Sequence, residues 1–360
     1  MYYFLPRKSI FACISTYIHS KIFPCEGSNP ARGLKYPNVI PHFFKNFFGI
    51  WVAKKPDISG FFLHVILLVM LICITMGKMT AALETDNQVI FIDRAGYGVS
   101  DDTTQNMTVE NIVEGYRKAL KNAGIKAPYV LMPHSIGGVY ATYWESKYPD
   151  EIEAVAIIDG TELEAIPPDE QDNDNDEAAL YYRLVKCGIG GTGDMLLKHF
   201  LPPKGWLNDD EQKAEYAMAL MTYDSRALLS ESEQESRNIN TAWEAILTND
   251  IPKIYISTAY FTAEDIEADD ILTDEMIDEL MSDRKELKAE LPKTQEERRQ
   301  MALEDYLEIG RDYKERVLLP YLEKLGNCEL VSLSGDHLIY EQKPDECGQI
   351  IIDFIDGLEK

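Results

Sequence analysis

Tyr129-Val130-Leu131-Met132-Pro133-His134-Ser135-Ile136-Gly137-Gly138-Val139-Tyr140-Ala141-Thr142-Tyr143-Trp144 is the stretch whose reading decides the fold. An apolar run leads into a sharp turn with a serine at its tip, and a second apolar run leads out. That is the pattern of a strand, a turn and a helix. A turn of the form small-x-Ser-x-Gly holds its serine in a strained backbone conformation, with the hydroxyl above the sheet edge. The positions two before and two after the serine must be compact, because strand and helix nearly touch there. Gly137 meets the second requirement, and Pro133 stands where glycine is usual at the first. Ser135 is therefore the candidate nucleophile.

Working outward, short apolar strands alternate with helices. Gln88–Ile92 suits a buried strand, and Met79–Leu83 before it suits a short helix. Thr108–Ala123 reads as an amphipathic helix carrying Ile112, Tyr116, Ala119 and Leu120 on one face, stopped by Gly124. The helix after Ser135 runs until Pro149, and Ala154–Ile158 is the next strand. Strands resume at Ile254–Ser257 and Glu329–Leu333, and a helix over Gly348–Leu358 closes the chain. This order predicts an α/β domain built on a mostly parallel sheet with helices on both faces.

Two segments interrupt the alternation. The first, about 161–249, opens with Pro167-Pro168 and the acidic run Asp169–Glu177, then carries helical stretches around Ala178–Val185 and Asp209–Thr222 and a helix ending at Trp243–Leu247. Its size and placement suit a helical cap over the active edge. The acidic run reads as a solvated loop, since it lacks the glycine turn and distal glutamate of a calcium loop. The second, about 265–324, is a charged helical insertion whose Met276, Ile277, Leu280 and Met281 suggest packing against the body.

In sheets of this kind the reactive residues lie in loops at the carboxyl ends of strands. Asp93, Ser135 and Asp159 all occupy such ends, and His337 follows the last strand. A serine hydroxyl needs a neutral imidazole to accept its proton, and the imidazolium that forms needs a carboxylate to orient and stabilise it. His337 is the candidate base, whereas the side chain of His134 points away from the serine hydroxyl. Asp159 is the first choice of acid, with Glu264 or Asp265 after the Ile254–Ser257 strand as the alternative. Asp336, next to His337 in sequence, cannot readily reach round to its ring. The backbone N–H of Ile136 would serve an oxyanion.

Other chemistries find no pattern. Gly96 and Gly98 around Tyr97 are too few for a phosphate cradle, and a GKS/T motif is absent from the sequence. The six cysteines are scattered without metal-ligand spacing, so a zinc site or disulfide framework is not expected. Neither a cofactor nor a metal is expected. The net charge of −26 is unevenly spread: residues 1–78 carry nine Lys/Arg against two acidic residues, a balance of +7, which leaves −33 on the remainder. A body this acidic repels polynucleotides, which excludes nucleic acid as a partner.

The region 1–57 shows aromatic clusters but no periodicity and receives no role. Residues 58–78 contain Phe61–Met76, interrupted only by His64 and Thr75 as polar residues. Two readings stand. A membrane helix requires about 20 apolar residues, and Lys45, Lys54 and Lys55 before it would leave the body outside the cytoplasm. A buried parallel strand over Val65–Val69 reads as the same continuous apolar run, and would fit a cytoplasmic protein.

The elbow, together with the chain order Ser135, Asp159, His337, resembles the α/β-hydrolase family over about residues 79–360. Ile92–Asp101 looks like that family's loop after its fourth strand, and Gly335-Asp336-His337 like its histidine loop. The closer resemblance is to bacterial hydrolases, many of them membrane-anchored, with Pro-His-Ser at the elbow and an Ile-Asp pair after the sixth strand. In those relatives the position of Asp159 is the acid. The resemblance implies an eight-stranded sheet, a cap between strands six and seven, and cofactor-free hydrolysis. The family's substrates are too diverse to carry over, and the serine chemistry itself points to a small-molecule acyl substrate. The family's second oxyanion donor follows its third strand. Val69–Gly77 holds only Gly77 in place of the usual glycine-rich turn. The alternative expectation is therefore a hydrolase-fold binding protein with impaired catalysis.

Overall fold

Period-two alternation sorts the strand residues between two cores. Residues Ile90, Ile92, Leu131, Val155, Ile157 and Tyr255 pack into one, while Val89, Phe91, Val130, Met132, Ala154, Ala156, Ile158, Ile254 and Ile256 pack into the other. A strand buried on both faces must be apolar throughout, which is why these strands read as unbroken runs. The computed structural model describes residues 76–81, 83–85, 87–97, 100–166, 225–278, 281 and 292–358, with the backbone of three further strands at 40–41, 50–52 and 65–70.

The eight strands are β1 (Ile40–Pro41), β2 (Ile50–Val52), β3 (Val65–Met70), β4 (Gln88–Asp93), β5 (Tyr129–Ser135), β6 (Ile152–Gly160), β7 (Lys253–Ser257) and β8 (Cys328–Ser332). They form one sheet in the order β1-β2-β4-β3-β5-β6-β7-β8. β2 pairs antiparallel with both its neighbours, and every other pairing is parallel. The parallel pairings require crossovers, and helices make them. On one face lie α2 (Val109–Ala123), α3 (Gly137–Lys147), α4 (Arg226–Ala245) and α7 (Leu319–Leu325). The other face is covered by α1 (Gly77–Thr80), α8 (Ile339–Gln342) and α9 (Pro344–Leu358). The insertion between β7 and β8 carries α5 (Ala263–Ala268) and α6 (Gln295–Tyr313), and Ile277 and Met281 are buried with Tyr260, Ile266, Leu272 and Ala302.

The sequence punctuation is visible at α2. Thr108 accepts from the Asn111 N–H at the N-terminus, and Gly124 closes the helix with φ +74°, as glycine does readily.

The transmembrane-helix reading of residues 58–78 is corrected here. Val65–Met70 is extended and pairs in register with β4 through Val65↔Gln88 and with β5 through Ile66↔Val130. A central parallel strand demands the same uninterrupted apolar run that a membrane span does. No helix among the described residues is long and apolar enough to cross a membrane. The sheet also starts at Ile40, upstream of the boundary at residue 79 that the sequence suggests. The cap helices expected at 178–185 and 209–222, and the acidic run 169–177, lie outside the described residues. The helix expected to end at Trp243–Leu247 ends at Ala245.

Candidate active site

β5 delivers Ser135 to the carboxyl edge of the sheet, and α3 begins two residues later. Ser135 has φ +52°, a left-handed conformation that costs a non-glycine residue free energy and persists only where the surroundings over-determine it. They do so here. The Ser135 carbonyl accepts from the Thr161 N–H at 2.9 Å, and Ile136 O accepts from the Val139 N–H at 3.1 Å. A Cβ on Gly138 would stand 3.3 Å from both Gly160 Cα and Thr161 N, so the elbow helix seats against β6 through glycine. The Ile136 N–H opens the N-terminus of α3, where a helix favours negative charge. Of the stretch Val69–Gly77, where the second oxyanion donor is expected, residues 71–75 lie outside the described residues.

β6 ends at the acid. Asp159 is buried, with φ +40°, and its two oxygens are used separately. Oδ2 lies 2.6 Å from His337 Nδ1, and Oδ1 accepts from the Thr258 N–H at 3.2 Å. Because a buried carboxylate accepts, Nδ1 carries the imidazole proton and Nε2 keeps its lone pair. The His337 side chain is 36 % exposed and that of Asp159 3 %, so the pair has a wet end and a dry end. The histidine loop is pinned along its length. Gly335 N–H donates to Thr258 O at 3.0 Å, Asp336 N–H to Gln342 Oε1 at 2.7 Å, and Lys343 Nζ to Ser334 O at 2.7 Å.

The other acids considered lie elsewhere. Asp265 sits in the first turn of α5 and accepts from Thr262 Oγ at 2.6 Å, while Glu264 is exposed. Asp336 is exposed. Among the described residues no group of three or more His, Cys, Asp or Glu could hold a metal ion. The described cysteines Cys328 and Cys347 are free, and burial pushes both thiols up to about 12.

Three features escaped sequence reasoning. His134 is buried, with its ring 4.4 Å from that of His337 between centroids and 5.0 Å from Tyr340. Arg94 Nε donates to Glu231 Oε2 at 3.1 Å, both side chains being almost wholly buried, and Tyr140 OH donates to the other oxygen. The guanidinium lies over the Tyr97 ring at 4.1 Å. Burial opposes the charge on Arg94, but Glu231, with Tyr97, Tyr140 and Tyr116 beside it, outweighs this and raises its pKa. This pair ties α4 to the loop after β4, 137 residues away in sequence. Finally, Glu162 accepts from both Tyr255 OH and Tyr313 OH, joining the loop after β6 to α6. Burial raises its pKa, the two phenols pull it down, and the charge of Asp159 adds to the rise. Long-range partners of this kind leave no local pattern in a sequence.

Residues 72–187 match the family described as alpha/beta hydrolase fold. With the eight-stranded order above, the chain has the α/β-hydrolase fold. DatA, a haloalkane dehalogenase from Agrobacterium tumefaciens C58, superposes with TM-score 0.54 at 14 % identity, over 86 % of this chain and 94 % of that one. Cfl2 from Burkholderia cenocepacia gives TM-score 0.53 at 14 % identity, over 86 % and 92 %. Likeness at that identity is of fold. By sequence, the chain is 46 % identical over 84 residues to the uncharacterized protein YbdG of Bacillus subtilis (strain 168), a match spanning 23 % of this chain and 26 % of that one. The match thus spans about a quarter of that relative.

Proposed function

We propose that the protein is a serine hydrolase that cleaves an ester, amide or related acyl bond of a small molecule, with Ser135 as nucleophile, His337 as general base and acid, and Asp159 as its orienting carboxylate. The observation that carries this reading is the 2.6 Å contact between His337 Nδ1 and the buried Asp159 Oδ2, on the sheet edge where a serine is held at φ +52°.

Ser135 Oγ attacks the acyl carbon as His337 Nε2 accepts its proton, so an O–C bond forms and the carbonyl π electrons move to oxygen. The imidazolium is stabilised across Nδ1–H by Asp159, whose position is fixed by the Thr258 N–H. The Ile136 N–H faces the oxyanion that develops. Collapse expels the leaving group, which takes the proton from Nε2 and leaves an acyl-serine. Water then attacks the acyl carbon with its proton passing to Nε2, and the acid product departs as Ser135 regains its proton.

Carboxylate attack on carbon–halogen bonds, suggested by the dehalogenase neighbours, is disfavoured because the elbow presents Ser135 and not aspartate. The test is turnover of a panel of p-nitrophenyl esters and aminoacyl anilides by the purified chain. Ser135→Ala should abolish hydrolysis and His337→Ala should nearly do so. Unchanged turnover in folded Ser135→Ala protein would refute the reading.

A further inference from the structure

His134 is unused by the mechanism above, although it precedes Ser135 in the chain and its ring lies against that of His337. Its Nε2 lies 2.8 Å from the backbone carbonyl oxygen of His337. A carbonyl can only accept, so Nε2 carries the proton and donates. The centroids of the two imidazole rings lie 4.4 Å apart with the planes tilted by 38°, and Tyr340 meets His134 edge-on at 5.0 Å. Burial and the neighbouring His337 hold the pKa of His134 down at about 3, so the ring stays neutral near neutral pH.

We propose that His134 is a positioning residue for His337: it anchors that residue's carbonyl and bears on its ring, so that the elbow itself sets the placement of the base. The proposal rests on the serine-hydrolase reading for its catalytic consequence, but not for its geometry. Asp159 grips His337 at Nδ1 and limits the swing of the ring. The contact with His134 fixes the backbone from which the ring projects and restricts the swing. Placing this donor immediately before the nucleophile couples the two halves of the machinery, so a shift of the elbow carries the base with it. In one residue the fold thus ties the loop after β8 to β5, strands that are not neighbours in the sheet.

The test compares the wild-type full chain with His134→Ala and His134→Gln, Gln being the variant that can offer a donor near the place of Nε2. The first readout is kcat and KM on a p-nitrophenyl ester, per folded molecule. His134→Ala should lose about 10–100-fold in kcat with KM little changed, because misplacement of a catalytic group by about 1 Å costs that much. His134→Gln should recover most of the loss. The second readout is the downfield proton resonance of His337 Nδ1–H, identified by its loss in His337→Ala. It should weaken or move in His134→Ala and return in His134→Gln. Folded His134→Ala protein with wild-type kcat and an unmoved resonance would overturn the proposal. So would a loss that falls on KM alone. The resonance needs no turnover: a wild type that hydrolyses nothing sinks the serine-hydrolase reading, while the resonance still decides the positioning.

Discussion

Replacing Asp159 with asparagine is the sharpest perturbation of the pair at the centre of the site. Oδ1 of Asp159 accepts from the Thr258 N–H and Oδ2 faces His337 Nδ1. In Asp159→Asn the amide oxygen must stay against the Thr258 N–H, because turning it would set two donors face to face. The amide NH₂ then points at Nδ1, which must offer a lone pair, and the imidazole proton moves to Nε2. A ring in that tautomer cannot accept the proton of Ser135. The charge is lost as well. At about 4 Å between charge centres and an effective dielectric of about 20, the imidazolium loses about 4 kcal/mol of stabilisation, roughly 10³-fold in rate. Together with the wrong tautomer, a fall of about 10³–10⁴-fold in kcat is expected. The assay is ester hydrolysis beside Asp265→Asn, with far-UV and near-UV circular dichroism to show that both variants fold. A folded Asp159→Asn within ~10-fold of wild type, with Asp265→Asn crippled, would refute the reasoning and move the acid to the β7 loop.

Three other outcomes follow from charges the fold buries. Lys253 Nζ sits 3.4 Å from Glu145 at the amino end of β7, away from the reactive edge, and both side chains are about 1 % exposed. Lys253→Met should cost about 3–5 kcal/mol in urea unfolding, and adding Glu145→Leu should recover much of it, because a lone buried charge is worse than none. Glu231→Ala, which leaves Arg94 buried and unpaired, should cost a similar amount, about 3–5 kcal/mol, whereas Glu231→Gln should cost less if its amide oxygen takes the guanidinium. His134 titrates at about 3 in the folded chain against 6.5 ordinarily. Its contribution to stability is complete above the unfolded value and is lost as pH falls from 6.5 toward 3. Between pH 7 and 4.5 it should cost about 2–3 kcal/mol, and His134→Gln should show a correspondingly flatter profile; parallel profiles would count against it.

How much of this was legible depends on the range of the interactions that set it. β4 to β7 and α2, α3 and α9 are written in local pattern, since strands covered on both faces must be apolar throughout. The pattern at Val65–Met70 was equally clear but ambiguous, because a central parallel strand and a membrane span ask for the same residues. Only its pairing with β4 and β5 separates them. β1 and β2 are two and three residues long, too short for a period to register. At the site, chain order alone brings Ser135, Asp159 and His337 forward as candidates. The same reasoning turned the His134 side chain away from the serine but found no use for it. Its partner is a backbone carbonyl 203 residues distant, and a carbonyl has no sequence signature. Arg94–Glu231 and Glu162–Tyr313 were invisible for the same reason.

The central claim is that Ser135 is a working nucleophile, and the most direct measurement is its covalent capture. The full chain is treated with a fluorophosphonate and the modified peptide is mapped by mass spectrometry. The account predicts one phosphonyl group, on Ser135, absent in Ser135→Ala and formed far more slowly in His337→Ala and Asp159→Asn. Folded wild type that stays unmodified, or that is modified at another serine at the same rate in all three variants, would contradict it.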